Sequence, residues 1–164
     1  MKSTFTFAEG LKEMEIITCG NKDIELLMDL RLEMLKVVND LSADYEFSKE
    51  FVESARNYFV SGNQTTVVAK DGEAVLGCAT ASYIYIMPTF SHPTGNRMHL
   101  MNVYVRKEFQ RKGVASKMVK ALIEEAKVRG CTEISLDATD SGRPLYESLG
   151  FKFNGSAMTL NLDI

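Results

Sequence analysis

The chain has 164 residues, of which 45% are hydrophobic and 25% are charged, close to the average for a globular domain. This composition argues against a disordered segment, a collagen-like fibre and a membrane protein. The 19 basic and 22 acidic side chains give a formal net charge of −3, whereas proteins that bind duplex DNA normally carry a basic excess. We therefore expect a single domain over residues 14–164, with no nucleic-acid partner.

Residues 1–13 contain no apolar core of signal-peptide length, and we expect them to form an N-terminal extension, either disordered or helical. No run approaches the 18 apolar residues that a membrane span requires. The three cysteines, Cys19, Cys78 and Cys131, are scattered beside apolar runs, which is typical of buried thiols in a reducing compartment. Neither they nor the two histidines have the short paired spacing of a metal site. We expect a cytoplasmic protein with no metal and no membrane association.

The first part of the chain predicts a strand followed by two helices. Residues 16–19 are strand-like, and Asn21 is placed to cap a helix over 22–39, whose apolar side chains recur at helical spacing. Arg31 falls on the apolar face of that helix. It is either a snorkelling or paired arginine, or a residue that lines a substrate cleft. A second helix is expected over 48–62.

The remainder of the chain predicts a sheet, two further helices and a terminal hairpin. In chain order, the expected elements are strands at 65–70 and 75–86, a long loop at 87–97, a strand at 98–105, a helix at 113–129, a strand at 132–138, a helix at 144–149 and a hairpin over 151–162. The pattern predicts a mixed α/β layer structure. The edges of the final hairpin lead us to expect a possible homodimer.

The most informative stretch joins a predicted strand to the helix that begins at Gly113. A helix N-terminus presents unpaired N–H groups and the positive end of the helix dipole, a combination that binds phosphate. Arg111 and Lys112 add positive charge, while Gly113 and Ala115 keep bulky side chains away. Neither a Walker A loop nor a dinucleotide fingerprint is present in the sequence. The pattern that is present is Q-x-x-G-x-A, beginning at Gln110.

This pattern resembles the Q/R-x-x-G-x-G/A motif of the GNAT superfamily of N-acetyltransferases, whose helix N-terminus binds the pyrophosphate of acetyl-CoA. The motif begins five residues after Val105, and residues 144–151 are similar to the L-Y-x-x-x-G-F signature of that family. The alternative is an ordinary amphipathic helix preceded by a glycine turn. The resemblance implies a GNAT-like acyltransferase fold, with a central, mostly antiparallel sheet, flanking helices and a splayed strand pair.

The same resemblance implies how acetyl-CoA is held. The pantetheine arm would lie along the strand that ends at Val105, and the pyrophosphate would lie against the loop and the start of the helix. The family often has an asparagine before the short helix, where this chain offers Thr139 or Ser141 as a hydroxyl donor. The implied cofactor-binding residues are Val103, Tyr104, Val105, Gln110, Arg111, Lys112, Gly113, Val114, Ala115, Ser116 and Ser141.

Acetyl transfer from a thioester to an amine requires a base for the amine proton and an acid for the leaving thiolate. Tyr146 matches the tyrosine that commonly serves as this acid in the family, and a phenol is protonated at neutral pH. Its alternative role is that of a packed aromatic. His99, on the strand before the loop, is the candidate base, although a structural histidine fits equally well. Asn102 is a polar residue in an otherwise apolar strand, where it would fill a gap between strands or hold the acceptor.

We therefore expect an N-acetyltransferase that transfers the acetyl group of acetyl-CoA to a primary amine of a small molecule or peptide. Direct transfer in a ternary complex is expected, since no cysteine is an obvious nucleophile. The acceptor cleft is expected from residues 22–62 and the 87–97 loop, with Arg31, Glu33, Tyr85 and Asn102 in its lining. The alternatives are a non-catalytic acyl-CoA-binding regulatory module and an unrelated nucleotide sensor.

Overall fold

The computed structural model describes residue 11 and residues 13–162, so most of the predicted extension over 1–13 lies outside the described residues. Two short 3-10 turns, at Asn21–Asp23 and Lys107–Phe109, accompany the main elements. In chain order these are β1 (Met14–Thr18), α1 (Ile24–Val38), α2 (Lys49–Ser61), β2 (Gln64–Asp71), β3 (Ala74–Tyr85), β4 (Asn96–Val105), α3 (Val114–Val128), β5 (Glu133–Ser135) and α4 (Arg143–Ser148).

The strands form one sheet in the order β1-β2-β3-β4-β5, antiparallel except for the parallel pair β4 and β5. That last pair extends only from Arg97 opposite Glu133 to His99 opposite Ser135. Because β4 continues to Val105 without pairing to β5, the two strands separate beyond His99. The expected sheet with a splayed strand pair is confirmed.

Helices cover both faces of the sheet and enclose two apolar clusters. On one face, Met118 and Leu122 of α3 pack with Leu76 of β3 in a fully buried core. On the other face, Leu30 of α1 and Phe59 of α2 belong to the cluster that includes Cys78. Apolar residues at helical spacing on α1 and α3 account for these contacts, since the burial of each stripe stabilises the helix.

The register between β3 and β4 shifts between Cys78 and Thr80, where Cys78 faces Tyr104 but Thr80 faces Met101. Opposite this shift, Asn102 has a φ of +55°, in the left-handed region that few residues other than glycine occupy. A bulge of this kind bends the strand and re-aims its side chains. It lies three residues beyond His99, the last residue of β4 that pairs with β5.

The cap predicted for the first helix is wrong in detail. Asn21 does not cap α1, because a 3-10 turn over Asn21–Asp23 comes first and Asp23 occupies the N-cap position. The backbone N–H of Gly20 donates to the Asp23 carboxylate at 2.9 Å, which stabilises this tighter turn. By contrast, Ser48 does cap α2 by accepting a hydrogen bond from a backbone N–H.

The final hairpin predicted over 151–162 is wrong, because the described residues there form no strand. The Asn154 side-chain oxygen accepts hydrogen bonds from the backbone N–H and hydroxyl of Ser156, a local turn that competes with strand pairing. An isolated hairpin is marginal without a further strand to pack on, and β5 offers only three residues. Phe153 and Met158 are therefore 82% and 99% exposed. The homodimer was expected because of the edges of this hairpin, and the described residues do not form those edges.

Candidate active site

A cleft of about 830 Å³ opens where β4 and β5 separate. It is bounded by the unpaired part of β4, the loop before α3, the first turn of α3 and the segment leading into α4. Most of the cofactor-binding residues predicted from the sequence line it, together with Tyr146. These are Val103, Val105, Gln110, Arg111, Gly113, Val114, Ala115, Ser116 and Ser141.

Tyr104 and Lys112 are the two predicted cofactor-binding residues whose side chains are directed elsewhere. The Tyr104 hydroxyl donates to Glu33 of α1 at 2.9 Å, and Tyr104 is not among the residues that line the cleft. The Lys112 ammonium lies 5.8 Å from the ring centroid of Phe109. Neither residue therefore contributes to the lining of the cleft.

The loop before α3 has a backbone shaped to hold an anion. Arg111 and Gly113 both adopt left-handed conformations, with φ values of +61° and +77°, and such turns gather successive N–H groups into anion-binding concavities. Within the described chain, the backbone N–H groups of residues 111–116 donate to no acceptor. The side-chain amide of Gln110 donates to the carbonyl oxygen of Val105 at 3.0 Å and ties the loop to the strand end.

The requirement for glycine at position 113 is conformational. A Cβ atom built on Gly113 would meet no atom within 4 Å, so space alone does not exclude a side chain. The left-handed φ is what disfavours other residues. The N–H groups, the helix dipole and the charge of Arg111 together fit a pyrophosphate, and the exposed edge of β4 fits an extended amide-bearing arm.

Tyr146 of α4 lines the same cleft. Its ring packs edge-on against Phe151, with the centroids 5.8 Å apart. Among the described residues, none accepts a hydrogen bond from its hydroxyl. Burial raises the pKa of the Tyr146 phenol, so the group stays protonated and is free to donate a proton into the cleft.

A second cavity of about 250 Å³ lies between α1, α2 and the middle of the sheet. Met101 and Asn102 line both this cavity and the cleft, so the two spaces meet at the β4 bulge. The predicted contribution of the 87–97 loop is absent from both linings, and Tyr85 is 72% exposed outside them. The residues of the second cavity are Arg31, Phe51, Ser54, Ala55, Tyr58, Phe59, Thr80, Met101 and Asn102.

A chain of hydrogen bonds leads from this cavity into the sheet. Arg31 donates to the side-chain oxygen of Asn102 at 3.2 Å, and the Asn102 amide nitrogen donates to the Thr80 hydroxyl at 3.2 Å. The Thr80 and Thr66 hydroxyls are 2.8 Å apart, and Thr66 donates to Gln64 at 2.7 Å. Because the single Thr66 proton goes to Gln64, Thr80 must donate to Thr66. Since the Thr80 proton is used on Thr66, Thr80 can only accept from Asn102. The Asn102 amide nitrogen therefore faces Thr80, and its oxygen faces Arg31.

Glu33 and His99 lie outside both linings. Glu33 pairs with Arg106, whose hydrogen bond holds the pKa of the carboxyl below its ordinary value. His99 Nδ1 lies 2.9 Å from the Ser135 hydroxyl, and its Nε2 lies 3.8 Å from an oxygen of Asp137. Asp137 itself lines the cleft, so Asp137 lies between the His99 ring and the cleft.

Sequence reasoning missed part of the lining of the second cavity. Phe51, Ser54 and Tyr58 of α2 line the second cavity, but their spacing resembles that of any amphipathic helix. The buried hydroxyls of Thr66 and Thr80 were also missed. The sequence does contain a signal for these hydroxyls, because threonines within apolar strands are often buried and buried hydroxyls need hydrogen-bond partners.

The cysteines are poor nucleophiles. Burial raises the pKa of the Cys78 thiol to about 12 and that of Cys19 to about 11, and it also raises the pKa of Cys131. Because the thiolate is the reactive form, none of the three is activated. In the part of the chain that the structure describes, no cluster of three potential metal ligands occurs, and no helix is long and apolar enough to cross a membrane.

Comparison with known proteins identifies the family. The model of the acetyltransferase (GNAT) family matches residues 32–151, and the chain belongs to this family. The resemblance inferred from the Q-x-x-G-x-A motif is thereby confirmed. Acetyl-CoA is the acetyl donor used by the family.

Individual relatives and structures agree with this assignment. Glucosamine 6-phosphate N-acetyltransferase of Arabidopsis thaliana is 26% identical, and the match covers 93% of this chain and 96% of that relative. Thialysine N-epsilon-acetyltransferase of Sus scrofa is 28% identical over a match that covers 56% of this chain. The chain spans only 62% of the length of that relative. A predicted acetyltransferase from Clostridium acetobutylicum, solved with acetyl-CoA, has a TM-score of 0.78 at 26% identity, covering 91% of this chain and 96% of that chain.

Proposed function

We propose that this protein transfers the acetyl group of acetyl-CoA directly to a primary amine within a ternary complex. The observation that carries the proposal is the meeting of two cavities at Met101 and Asn102. One cavity has the anion-holding loop and the free strand edge that suit the coenzyme, and the other is a separate space for an acceptor. Binding both reactants beside one bulge brings them together without a covalent enzyme intermediate.

The chain's own groups divide the binding of acetyl-CoA between them. The N–H groups of residues 111–116 and the guanidinium of Arg111 would hold the pyrophosphate. The backbone of Val103 and Val105 would pair with the pantetheine amides, and Ser141 would donate its hydroxyl. When bound, acetyl-CoA supplies the thioester carbon that the acceptor nitrogen attacks.

Tyr146 is the proposed general acid. Its partner-free, protonated hydroxyl would pass its proton to the departing sulfur as the carbon–sulfur bond breaks. His99 is the proposed base for the amine proton. Because it lies outside the cavity linings, it would act through water or through Asp137, which lies 3.8 Å away and reaches the cleft.

The acceptor is proposed to be a small amine. The names of two relatives specify thialysine and glucosamine 6-phosphate as substrates, both small molecules, and the cavity of about 250 Å³ is the proposed place for such an acceptor. The raised pKa values of the three thiols support direct transfer, since a covalent acetyl-cysteine would require a thiolate.

The proposal is tested by thermal unfolding with acetyl-CoA, desulfo-CoA and ATP, followed by release of free CoA thiol in the presence of an amine panel. A ligand at 100 times its Kd stabilises the fold by about 2.7 kcal/mol, which is readily seen as a rise in Tm. We expect both coenzymes to raise the Tm, ATP to leave it unchanged, and amines to trigger thiol release. Stabilisation without thiol release would instead indicate an acyl-CoA-binding regulatory module. No stabilisation by either coenzyme would overturn the proposal.

A further inference from the structure

The acceptor cavity contains a positive charge with no counter-ion. Arg31 is half-buried in a lining that is mainly apolar and includes no carboxylate. In the described part of the chain, its one hydrogen-bond partner is the neutral side-chain oxygen of Asn102, and no acidic group lies within salt-bridge distance. By contrast, Arg56, Arg97, Arg106 and Arg129 each form a salt bridge with a glutamate.

An unpaired guanidinium in such a place is costly unless an anion reaches it. Burial is the largest cause of the lowered pKa of Arg31, which reflects lost hydration without a compensating carboxylate. A guanidinium has five N–H donors, and Arg31 uses one of them on Asn102. The remaining donors, in a planar fork, match the two oxygens of a carboxylate or phosphate.

The surrounding residues hold the guanidinium in place. The ordered chain from Arg31 through Asn102, Thr80 and Thr66 ends on Gln64, which donates to the backbone oxygen of Phe59 in α2. Thr66 and Thr80 are 0% and 1% exposed, so this anchor lies in the sheet core. A positioned side chain loses less entropy on binding a ligand than a free one.

We propose that Arg31 binds an oxyanion, a carboxylate or a phosphate, that is carried by the acceptor amine itself. The inference rests on the proposed function and narrows its substrate class to small primary amines bearing an acid group. The cavity wall formed by Phe51, Tyr58 and Met101 receives the carbon skeleton between the two ends. Anion binding at Arg31 leaves the amine to face the junction with the cleft, because a protonated amine is repelled from the guanidinium.

The test compares amines that differ only in the acid group, using protein saturated with CoA. The matched pairs are lysine with 1,5-diaminopentane, phosphoethanolamine with ethanolamine, and glucosamine 6-phosphate with glucosamine. Binding is measured by calorimetry for the wild type, Arg31→Met, and the control Arg56→Met, which removes an arginine on the exposed side of α2. The first pair isolates a carboxylate and the other two isolate a phosphate.

We expect the anionic member of at least one pair to bind about tenfold or more tightly than its neutral partner, because a charge-assisted bidentate contact is worth that much. Arg31→Met should abolish the preference, and Arg56→Met should keep it. Asn102→Asp, which places a carboxylate beside an intact Arg31, should weaken anion binding without removing the arginine. It therefore tests the site even if Arg31→Met fails to fold.

Three outcomes would overturn the inference: a wild type that binds no anionic amine more tightly than its neutral partner, an Arg31→Met variant that keeps the preference, or an equal loss of preference in the Arg31 and Arg56 variants. The proposed function has a separate readout, since release of CoA thiol is followed on the same amines. Preferential binding without thiol release would preserve the anion site and refute the acetyltransferase activity. Thiol release with neutral amines alone would support the acetyltransferase activity and refute the anion site.

Discussion

Glu33 and Arg106 join α1 to the end of β4 through two parallel hydrogen bonds, from Nε to Oε1 at 3.0 Å and from Nη2 to Oε2 at 2.8 Å. The Tyr104 hydroxyl donates to the same Oε1 at 2.9 Å. Because α1 also carries Arg31, which lines the second cavity, and β4 bounds the cleft, this ion pair joins the walls of the two spaces.

Replacing Glu33 with Gln should destabilise the protein in a pH-dependent manner. The hydrogen bond from Arg106, followed in effect by that from Tyr104, keeps the folded pKa of Glu33 below its ordinary value of 4.5. A carboxyl with a lowered folded pKa contributes stability that is present above the unfolded pKa and is lost as pH falls through the folded pKa. The loss in Glu33→Gln at pH 7 should be about 1 kcal/mol, since the pair is partly exposed to solvent.

Urea unfolding of the wild type and Glu33→Gln, from pH 7 down to pH 3, measures this difference. It should shrink once the pH falls below 4.5 and disappear when the folded carboxyl is protonated. Glu53→Gln on the exposed side of α2 is the control and should have little effect at any pH. A deficit that persists unchanged at pH 3 would show that the ion pair is not its cause.

Gly113→Ala should weaken binding of acetyl-CoA through backbone strain. Its φ of +77° disfavours an L-residue by roughly 1–2 kcal/mol, although the added Cβ meets nothing within 4 Å. Relief of that strain would turn the N–H groups away from the cleft. Gly20→Ala is a matched control, because its Cβ also meets nothing within 4 Å and its φ is −126°. The rise in Tm with acetyl-CoA should fall only in Gly113→Ala; equal responses would contradict the role of the loop.

Tyr146→Phe should lower kcat for acetyl transfer while leaving stability nearly unchanged. General acid catalysis typically contributes about 10²–10⁴-fold, so a loss of at least tenfold is expected. Stability should hold because the hydroxyl has no partner among the described residues and the ring contact with Phe151 is kept. Release of CoA thiol and Tm are the two measurements, with the exposed Tyr45→Phe as control. Unchanged kcat would remove Tyr146 from the catalytic role.

Thr80→Val should destabilise the fold by about 1–3 kcal/mol, because it leaves a buried Thr66 acceptor and the Asn102 amide without their partner. Thr80→Ser keeps the hydroxyl and should lose less. Urea unfolding compares the two variants. Equal stabilities would mean that the hydrogen-bond chain beneath Arg31 contributes nothing, and that only side-chain volume matters at this position.

That the motif residues lie together along the cleft was predictable from the sequence, because the signals are local. A loop, a glycine and an amphipathic stripe within residues 110–126 determine the anion-holding turn and the helix behind it. The helix expected from residue 48 likewise begins there, because the Ser48 side chain caps α2. These features depend on neighbours a few residues apart, so reading along the chain recovers them.

Features that depend on distant partners were not predictable. Glu33 was expected in the acceptor lining, but its carboxylate is used by Arg106, 73 residues away. The residues of 151–162 alternate as a hairpin should, yet no partner strand is long enough to pair with them. Local patterning reports what a segment can form, and tertiary contacts decide which of those forms is stable.

The early separation of β4 from β5 has a consequence for the lifetime of the protein. Beyond His99, β4 has backbone groups that face the cleft instead of β5, and an extended ligand that pairs with them completes the sheet as a sixth strand would. Anything that binds the folded state alone also lowers the unfolded fraction that proteases degrade. We therefore expect resistance to proteolysis to rise with acetyl-CoA concentration, so that abundance of the protein follows the supply of its acetyl donor.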